Sequence, residues 1–407
     1  MRFGYFSHVW GRPGVTPADR YRELWREIQL ADETGFDYAF SVEHHFSPQE
    51  SWMPSPTIFC TGAAMSTKRI RIGPMGYIPA LYNPIGIAEE VAALDQVLGG
   101  RLELGITPGL IPGFFGPFGV NFEERKLRVR ECVELLRTAF AAEDGFTFHG
   151  PFHSYDDLTL SVRPVQRPHP PLWVPTGDRR TLRWLASIGA YTSSTMIVPR
   201  RALAVLNGHY LDWWDQAGHQ DQPNIGYWAP VYVAHSDEEA IGRGGPHIVH
   251  TLTKTLRYGG QAAAAGGRNL TTESILANAG DISFLLDNNL VFAGYPRTVT
   301  ERIKAAASEG LFNTLLGEFN LGLMTGADIA ESVRLFATEV APSLRGHEPT
   351  DRKGSTGMSE IEPRPGQEPR QPAGSPASAG HETADGAYDP DEERLVAERL
   401  QALGYLG

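Results

Sequence analysis

Arg71 to Leu110 reads RIGPMGYIPALYNPIGIAEEVAALDQVLGGRLELGITPGL, and its pattern changes twice. Ile70–Ile78 is a short β-rich run, Ile85–Leu98 spaces its apolar residues as a helix does, and Leu102–Ile106 returns to strand character. Strand, helix and strand in such close succession form a crossover unit, with parallel strands and a right-handed connection. The alternation continues on both sides. Arg2–His8, Tyr38–Val42, Leu172–Pro175, Thr192–Val198, Ile225–Val233 and Asn313–Phe319 read as strands. Pro17–Thr34, Pro56–Ser66, Phe122–Phe140, Thr181–Ile188, Arg201–Trp214, Asp237–Thr255, Thr298–Ser308 and Asp328–Leu335 read as helices, and Phe146–Leu160 as a hairpin between units. Eight β/α units in about 345 residues fit a closed (β/α)8 TIM barrel with insertions better than an open sheet. An open dinucleotide fold would carry G-x-G-x-x-G after its first strand, and none stands there.

Gly259–Asn288 breaks the alternation. A long insertion beside a barrel's C-terminal face is a candidate for a mobile lid, and equally for a tolerated surface loop.

Composition narrows the function. The chain has 407 residues with 41% hydrophobic and 21% charged side chains, enough to bury a core, and a net charge of −12. That charge argues against a nucleic-acid binder, which needs a basic footprint. No apolar run reaches the ~18 residues of a membrane span, and the start MRFGYFSHVWGRPG lacks a signal-peptide core. Cys60 and Cys132 make neither a metal cluster nor a disulfide framework, so a reducing, cytoplasmic setting is the simplest expectation.

The barrel is expected to span 1–345. Residues 346–388 are rich in Pro, Gly, Ser and Glu and are expected to be a disordered linker. Residues 346–407 hold twelve acidic and six basic side chains, half of the chain's net charge. At 389–407 order signals return as a short amphipathic helix, with Asp389 as N-cap, Pro390 in the first turn, and Leu395, Val396, Leu400 and Leu403 on one face. It either docks on its own body, frays, or serves as a docking peptide for a protein partner.

Function is expected at the C-terminal ends of the strands. Strand two ends in Glu43-His44-His45-Phe46, strand three in Gly73-Pro74-Met75-Gly76-Tyr77, strand four in Gly105-Ile106-Thr107-Pro108-Gly109. Strand five ends in Pro175-Thr176-Gly177-Asp178-Arg179-Arg180-Thr181, directly before a helix. A histidine pair serves structure as readily as catalysis, and neighbouring strand residues face opposite ways, so the pair chelates a metal poorly. Gly177 to Thr181 suits an anion at a helix N-terminus, or simply an Asp178 cap with solvated arginines.

These strand ends, in this order, resemble the bacterial luciferase-like flavin monooxygenases. Arg71–Leu110 carries the likeness most specifically, through a strand, an Asn-Pro turn, a helix ending in Leu-Asp-x-x-x-x-Gly-Arg and the strand that follows at once. EHHF at 43–46, FGVNFEERKLR at 118–128, RPVQRPHPPLWV at 163–174 and the stretch from Gly294 to Leu344 support it. The resemblance implies one bound FMN, delivered reduced (FMNH2) by a separate flavin reductase. It also implies oxygen transfer from O2 through a flavin C4a-hydroperoxide, and a homodimer. His44 falls on the family's active-site histidine. Met75 and Gly76 fall on a dipeptide, often cis, that lies against the flavin ring; Thr195 falls near that ring. Gly177, Asp178 and Thr181 fall on the phosphate turn, and 259–288 on a mobile loop. Thr107-Pro108 stands where luciferases have Cys-Arg, so light emission is not implied and the phosphate loses an arginine, for which Arg180 beside Arg179 is the candidate substitute.

A hydroperoxide of this kind needs a water-poor cavity and a proton-exchanging group. His44 suits the second role. Phe46, Trp52, Phe114, Phe115, Phe118, Tyr227 and Trp228 are available for the first, no more than half of them as pocket wall, and GLIPGFFGPFG at 109–119 reads as such a wall. A small apolar substrate follows. Two alternatives remain: a deazaflavin (F420)-dependent hydride transfer without oxygen, and a non-catalytic flavin-binding or docking protein. Truncation after Arg345 is expected to leave the barrel's melting temperature and flavin affinity unchanged; a large drop in melting temperature would mean that the tail packs on the body.

Overall fold

The computed structural model describes residues 1–195, 198, 200–259, 275 and 277–347, with side chains omitted for 256–259. They belong to one compact unit, Met1–Thr350. Apart from Gly346 and His347, the expected linker and terminal helix lie outside the described residues, as does much of the expected lid.

Eight parallel strands follow one another around the barrel in chain order. They are β1 (Arg2–Ser7), β2 (Tyr38–Ser41), β3 (Arg71–Pro74), β4 (Leu104–Gly105), β7 (Leu172–Pro175), β8 (Tyr191–Thr195), β9 (Ile225–Val233) and β11 (Thr314–Glu318). β11 pairs with β1 from Arg2↔Thr314 to Phe6↔Glu318, and the bridges Ile72↔Leu102 and Tyr77↔Ile106 join β3 to β4. A short antiparallel pair, β5 (Phe146–His149) and β6 (Ser154–Leu158), is the hairpin. Sequence reading missed β10 (Phe292–Gly294), three residues that extend the sheet on the far half of β9.

The outer helices are α1 (Pro17–Glu33), α2 (Pro56–Ser66), α3 (Pro84–Val97), α4 (Arg125–Ala141), α5 (Arg179–Ile188), α6 (Arg200–Gln216), α7 (Asp237–Glu239), α8 (Gly245–Gly259), α9 (Ile282–Asp287), α10 (Pro296–Ser308), α11 (Gly326–Leu335) and α12 (Ala341–Arg345). Their starts are written in the sequence. Thr16, Ser55 and Asn83 each accept a backbone N–H of the first turn, and each precedes a proline whose missing N–H needs no partner there. The end of the 259–288 insertion is not loop: α9 lies there, with Leu285 and Leu286 buried.

β3 departs most from its sequence pattern. The β-rich run Ile70–Ile78 stops laddering at Pro74, because five steps from Ile72 to Tyr77 face four from Leu102 to Ile106. The extra residue is taken up at Met75–Gly76, whose peptide bond is cis. Two glycines are required by the close approach. A Cβ on Gly76 would sit 2.3 Å from the Gly105 carbonyl carbon, and one on Gly105 would sit 2.0 Å from the Pro74 oxygen.

At the opposite end, polar groups lock the α3–β4 turn. Buried Asp95 accepts from the backbone and side-chain N–H of Gln166, both at 2.8 Å, and Arg101 donates to the Ile70 carbonyl at 2.7 Å. The Leu-Asp…Gly-Arg motif is thus a structural clasp at the barrel's base. Gly105→Ala, which drives a methyl into backbone, is expected to cost about 2 kcal/mol or more in denaturant unfolding; wild-type stability would show that β3 and β4 do not approach as described.

Candidate active site

The strand C-termini enclose a cleft of about 200 Å3 that opens to solvent at its mouth. Its lining is mainly apolar: Phe6, Val42, Ile78, Phe114, Trp228 and Leu316 form most of the floor and walls. Gly109, Leu110, Ile111 and Phe114 supply one side, so part of the 109–119 run is cleft wall. Among the other aromatic candidates only Trp228 reaches the lining. Phe115 and Tyr227 are buried core, while Phe46 and Phe118 are exposed.

EHHF divides its labour. Glu43, buried, accepts from Tyr82 Oη at 2.9 Å and the Ile78 N–H at 2.8 Å, and lies 2.8 Å from His45 Nε2. Burial raises its pKa although these partners favour the anion. Glu43 and His45 therefore pin the segment after β2 to that after β3. His44 turns the other way, into the cleft. Its Nδ1 lies 3.4 Å from Glu50 Oε1, an ion-pair distance without hydrogen-bond geometry, and has no hydrogen-bond partner in the protein. Burial works against charge on Glu50, but His44, His8 and the Ser47 hydroxyl hold its pKa below the ordinary glutamate value.

The sequence did not point to the residues that meet His44 from the other side. His8, just past β1, lies with its ring centroid 5.5 Å from that of His44. Its Nδ1 is 3.0 Å from both oxygens of Glu318, the last residue of β11. Glu318 is fully buried and also accepts from the His8 backbone N–H at 3.0 Å, Trp10 Nε1 at 2.8 Å and Trp228 Nε1 at 3.0 Å. Burial alone would lower the His8 pKa; the Glu318 carboxylate, assisted by Glu50, raises it instead. A sharp turn makes this convergence possible, with Val9 at φ 57° and its N–H on Ser7 Oγ at 2.9 Å. That conformation is strained for a β-branched residue. Behind it Arg20 donates to the Trp10 carbonyl at 3.1 Å and to Glu27 at 3.0 Å.

Of the residues expected to hold a flavin, Met75, Thr107 and Thr195 line the cleft, and Gly76 adjoins Met75 through the cis bond. Ser193 and Ser194 line it too, and Ser194 Oγ is buried with no hydrogen-bond partner in the protein. The lining ends at Pro175, and Gly177, Asp178, Arg180 and Thr181 follow beyond it. Asp178 caps α5, accepting from the Thr181 N–H at 2.8 Å and its hydroxyl at 2.7 Å. Arg179 lies over the Trp213 ring, 5.6 Å from its centroid.

Among the described residues no helix is long and apolar enough to cross a membrane. The sequence profile of a family described as luciferase-like monooxygenase matches residues 1–313. The chain is 34% identical to 2,5-diketocamphane 1,2-monooxygenase 2 of Pseudomonas putida, over 85% of this chain and 99% of that one. It is 26% identical to the FMNH2-dependent dimethylsulfone monooxygenase of Pseudomonas putida, over 78% and 86%. The crystal structure of monooxygenase RslO1 from Streptomyces bottropensis superposes with a TM-score of 0.74 at 26% identity, over 84% and 99%. The chain spans about half the length of two other curated relatives it matches, uncharacterized proteins of Sinorhizobium fredii (strain NBRC 101917 / NGR234), at 55% and 43%. Since the profile runs from the first strand through α10, up to the threshold of β11, the chain belongs to the luciferase-like monooxygenase family.

Proposed function

We propose that this chain is the oxygenase component of a two-component monooxygenase, which uses FMNH2 and O2 to place one oxygen atom into a small, largely apolar organic molecule. The cleft carries the proposal: an apolar wall faces a buried hydroxyl that lacks a hydrogen-bond partner in the protein, Ser194 Oγ, and the His44–Glu50 pair, beside the Met75–Gly76 peptide. A flat ring with a hydrogen-bonding edge satisfies both demands, since buried polar atoms are costly when left unpaired. Met75, Gly76, Thr107, Ser194 and Thr195 would hold such a ring. Gly177, Asp178, Arg180 and Thr181 would meet the phosphate, with Arg180 supplying the positive charge that Thr107-Pro108 lacks.

Bound FMNH2 supplies the electrons that activate oxygen. The chain's own contribution is to exclude water and to manage protons. Phe6, Ile111, Phe114 and Trp228 shut water out of the floor, which strengthens every electrostatic interaction inside. His44, with Glu50 behind its Nδ1, is placed to take or give a proton at the cleft. A compact molecule with an apolar body and one or two carbonyl groups suits this lining, as 2,5-diketocamphane does, the substrate named for the relative above. A separate reductase, a homodimer and a cytoplasmic location complete the reading, and 389–407 is the segment for a protein partner.

The test is turnover with FMNH2, 18O2 and 2,5-diketocamphane or dimethyl sulfone. One labelled oxygen per product molecule is expected. Oxygen uptake no faster than that of free FMNH2, with no labelled product, would contradict the proposal and leave the deazaflavin and docking alternatives. His44→Ala is expected to keep FMN affinity within about threefold while product per O2 falls about a hundredfold and hydrogen peroxide appears instead; unchanged coupling would remove His44 from the chemistry. Arg180→Ala is expected to raise the FMN Kd about fivefold to tenfold, and equal affinities would discard its phosphate role.

A further inference from the structure

We infer that His8 is a second proton-bearing catalytic residue of the cleft, held by Glu318 and refilled from solvent through His44 and Glu50. The inference rests on the oxygenase reading of the same cleft and adds to it a residue that neither the sequence pattern nor the resemblance singled out.

Glu318 is saturated with donors, two indole N–H groups, a backbone N–H and the His8 ring. A carboxylate can only accept, so His8 Nδ1 carries a proton and the ring cannot flip without losing it. The other ring nitrogen is left for the cavity that His8 lines, as when a carboxylate orients the histidine of a hydrolase triad.

Glu50 and Glu43, both buried, line the cleft, Glu318 is buried behind His8, and among the described residues no arginine or lysine lines the cleft. Buried negative charge is disfavoured without a compensating positive group, which favours the protonated His8 ring between Glu318 and Glu50. The charged groups acting on His8 are Glu318 from β11 and Glu50 from the segment after β2, with His44 beside it. The remaining faces of the ring meet Phe6, Trp10 and Trp228, which do not titrate.

One ring nitrogen of each histidine and one oxygen of Glu50 lie within 4.8 Å of one another, a span that a single water bridges. The His44 side chain is 19% exposed, against 6% for His8 and 2% for Glu50. His44 is thus the solvent end and His8 the inner end. In the step assigned to it, an N–H bond of His8 breaks as an O–H bond forms on an oxygen anion in the cavity. A proton then passes from His44 through the Glu50 carboxylate to His8, and His44 takes one from water at the mouth. The net change is one proton moved inward; no electron is transferred.

The test begins with the full-length protein without flavin, in the presence of a chelator, by NMR titration of 15N-labelled histidine rings. His8→Asn, which keeps a donor towards Glu318, identifies the signal. In wild type that ring is expected to stay doubly protonated above the pH at which exposed histidines lose their charge, and Glu318→Gln to lower its midpoint by about one pH unit or more. A neutral His8 at pH 6.5, or a midpoint indifferent to Glu318→Gln, would overturn the inference. The second measurement is the pH profile of hydrogen peroxide release from FMNH2 and oxygen. Wild type is expected to show a limb that His8→Asn lacks and Glu50→Gln displaces; superimposable profiles would overturn the inference even if the titration agreed. Failure of wild type to take up FMNH2 would instead strike the oxygenase reading, while the titration still decides whether His8 is charged.

Discussion

A carboxylate sealed from water at the end of the last strand organises the reactive end of this barrel. Glu318 draws donors from the turn after β1 and from β9, so the strands on either side of β11 are joined above the sheet ladder as well as within it. Leaving any of these donors unpaired in an apolar floor would be costly. The arrangement therefore fixes the path of the chain through Ser7, His8, Val9 and Trp10, left-handed Val9 included. His8 and Trp228 are held as a consequence, and with them one side of the cleft.

The other side is set by a different constraint, the near contact of β3 and β4. Backbone approaches backbone at Gly76 and Gly105 too closely for any side chain, and the surplus residue of β3 is turned into the cleft wall at Met75. Glu43 then ties the segments following β2 and β3 together, which presents His44 to the cavity. One wall is held by a buried charge and the opposite one by bare backbone; the flavin face proposed here lies against the latter.

The barrel was legible because β/α alternation is local: each unit announces itself within about forty residues, and its helix caps stand beside their prolines. EHHF was legible as a feature but not as an assignment, because the split of its histidines depends on Glu50 and on Tyr82 and Ile78, which belong to other turns. Asp178-x-x-Thr181 had two readings in the sequence; the structure shows the cap, and the phosphate reading stands as a proposal beside it. His8 with Glu318 escaped notice because 310 residues separate them. A signal was nonetheless present. A glutamate within TLLGEFN, an apolar run otherwise suited to a buried strand, is a charge that needs a partner inside the protein.

Polar chemistry is thus divided between the barrel's two ends. At the base Asp95, Arg101 and Gln166 close a turn, whereas at the top carboxylate and imidazole meet an apolar cavity. The claim on which the account turns is that this upper cleft is where the flavin ring sits. A diffraction map of crystals soaked in FMN tests it most directly. The account predicts the isoalloxazine against Met75–Gly76, with ring-edge atoms within hydrogen-bond reach of Ser194 Oγ. Flavin density elsewhere on the barrel, with Ser194 Oγ still without a partner, would contradict it.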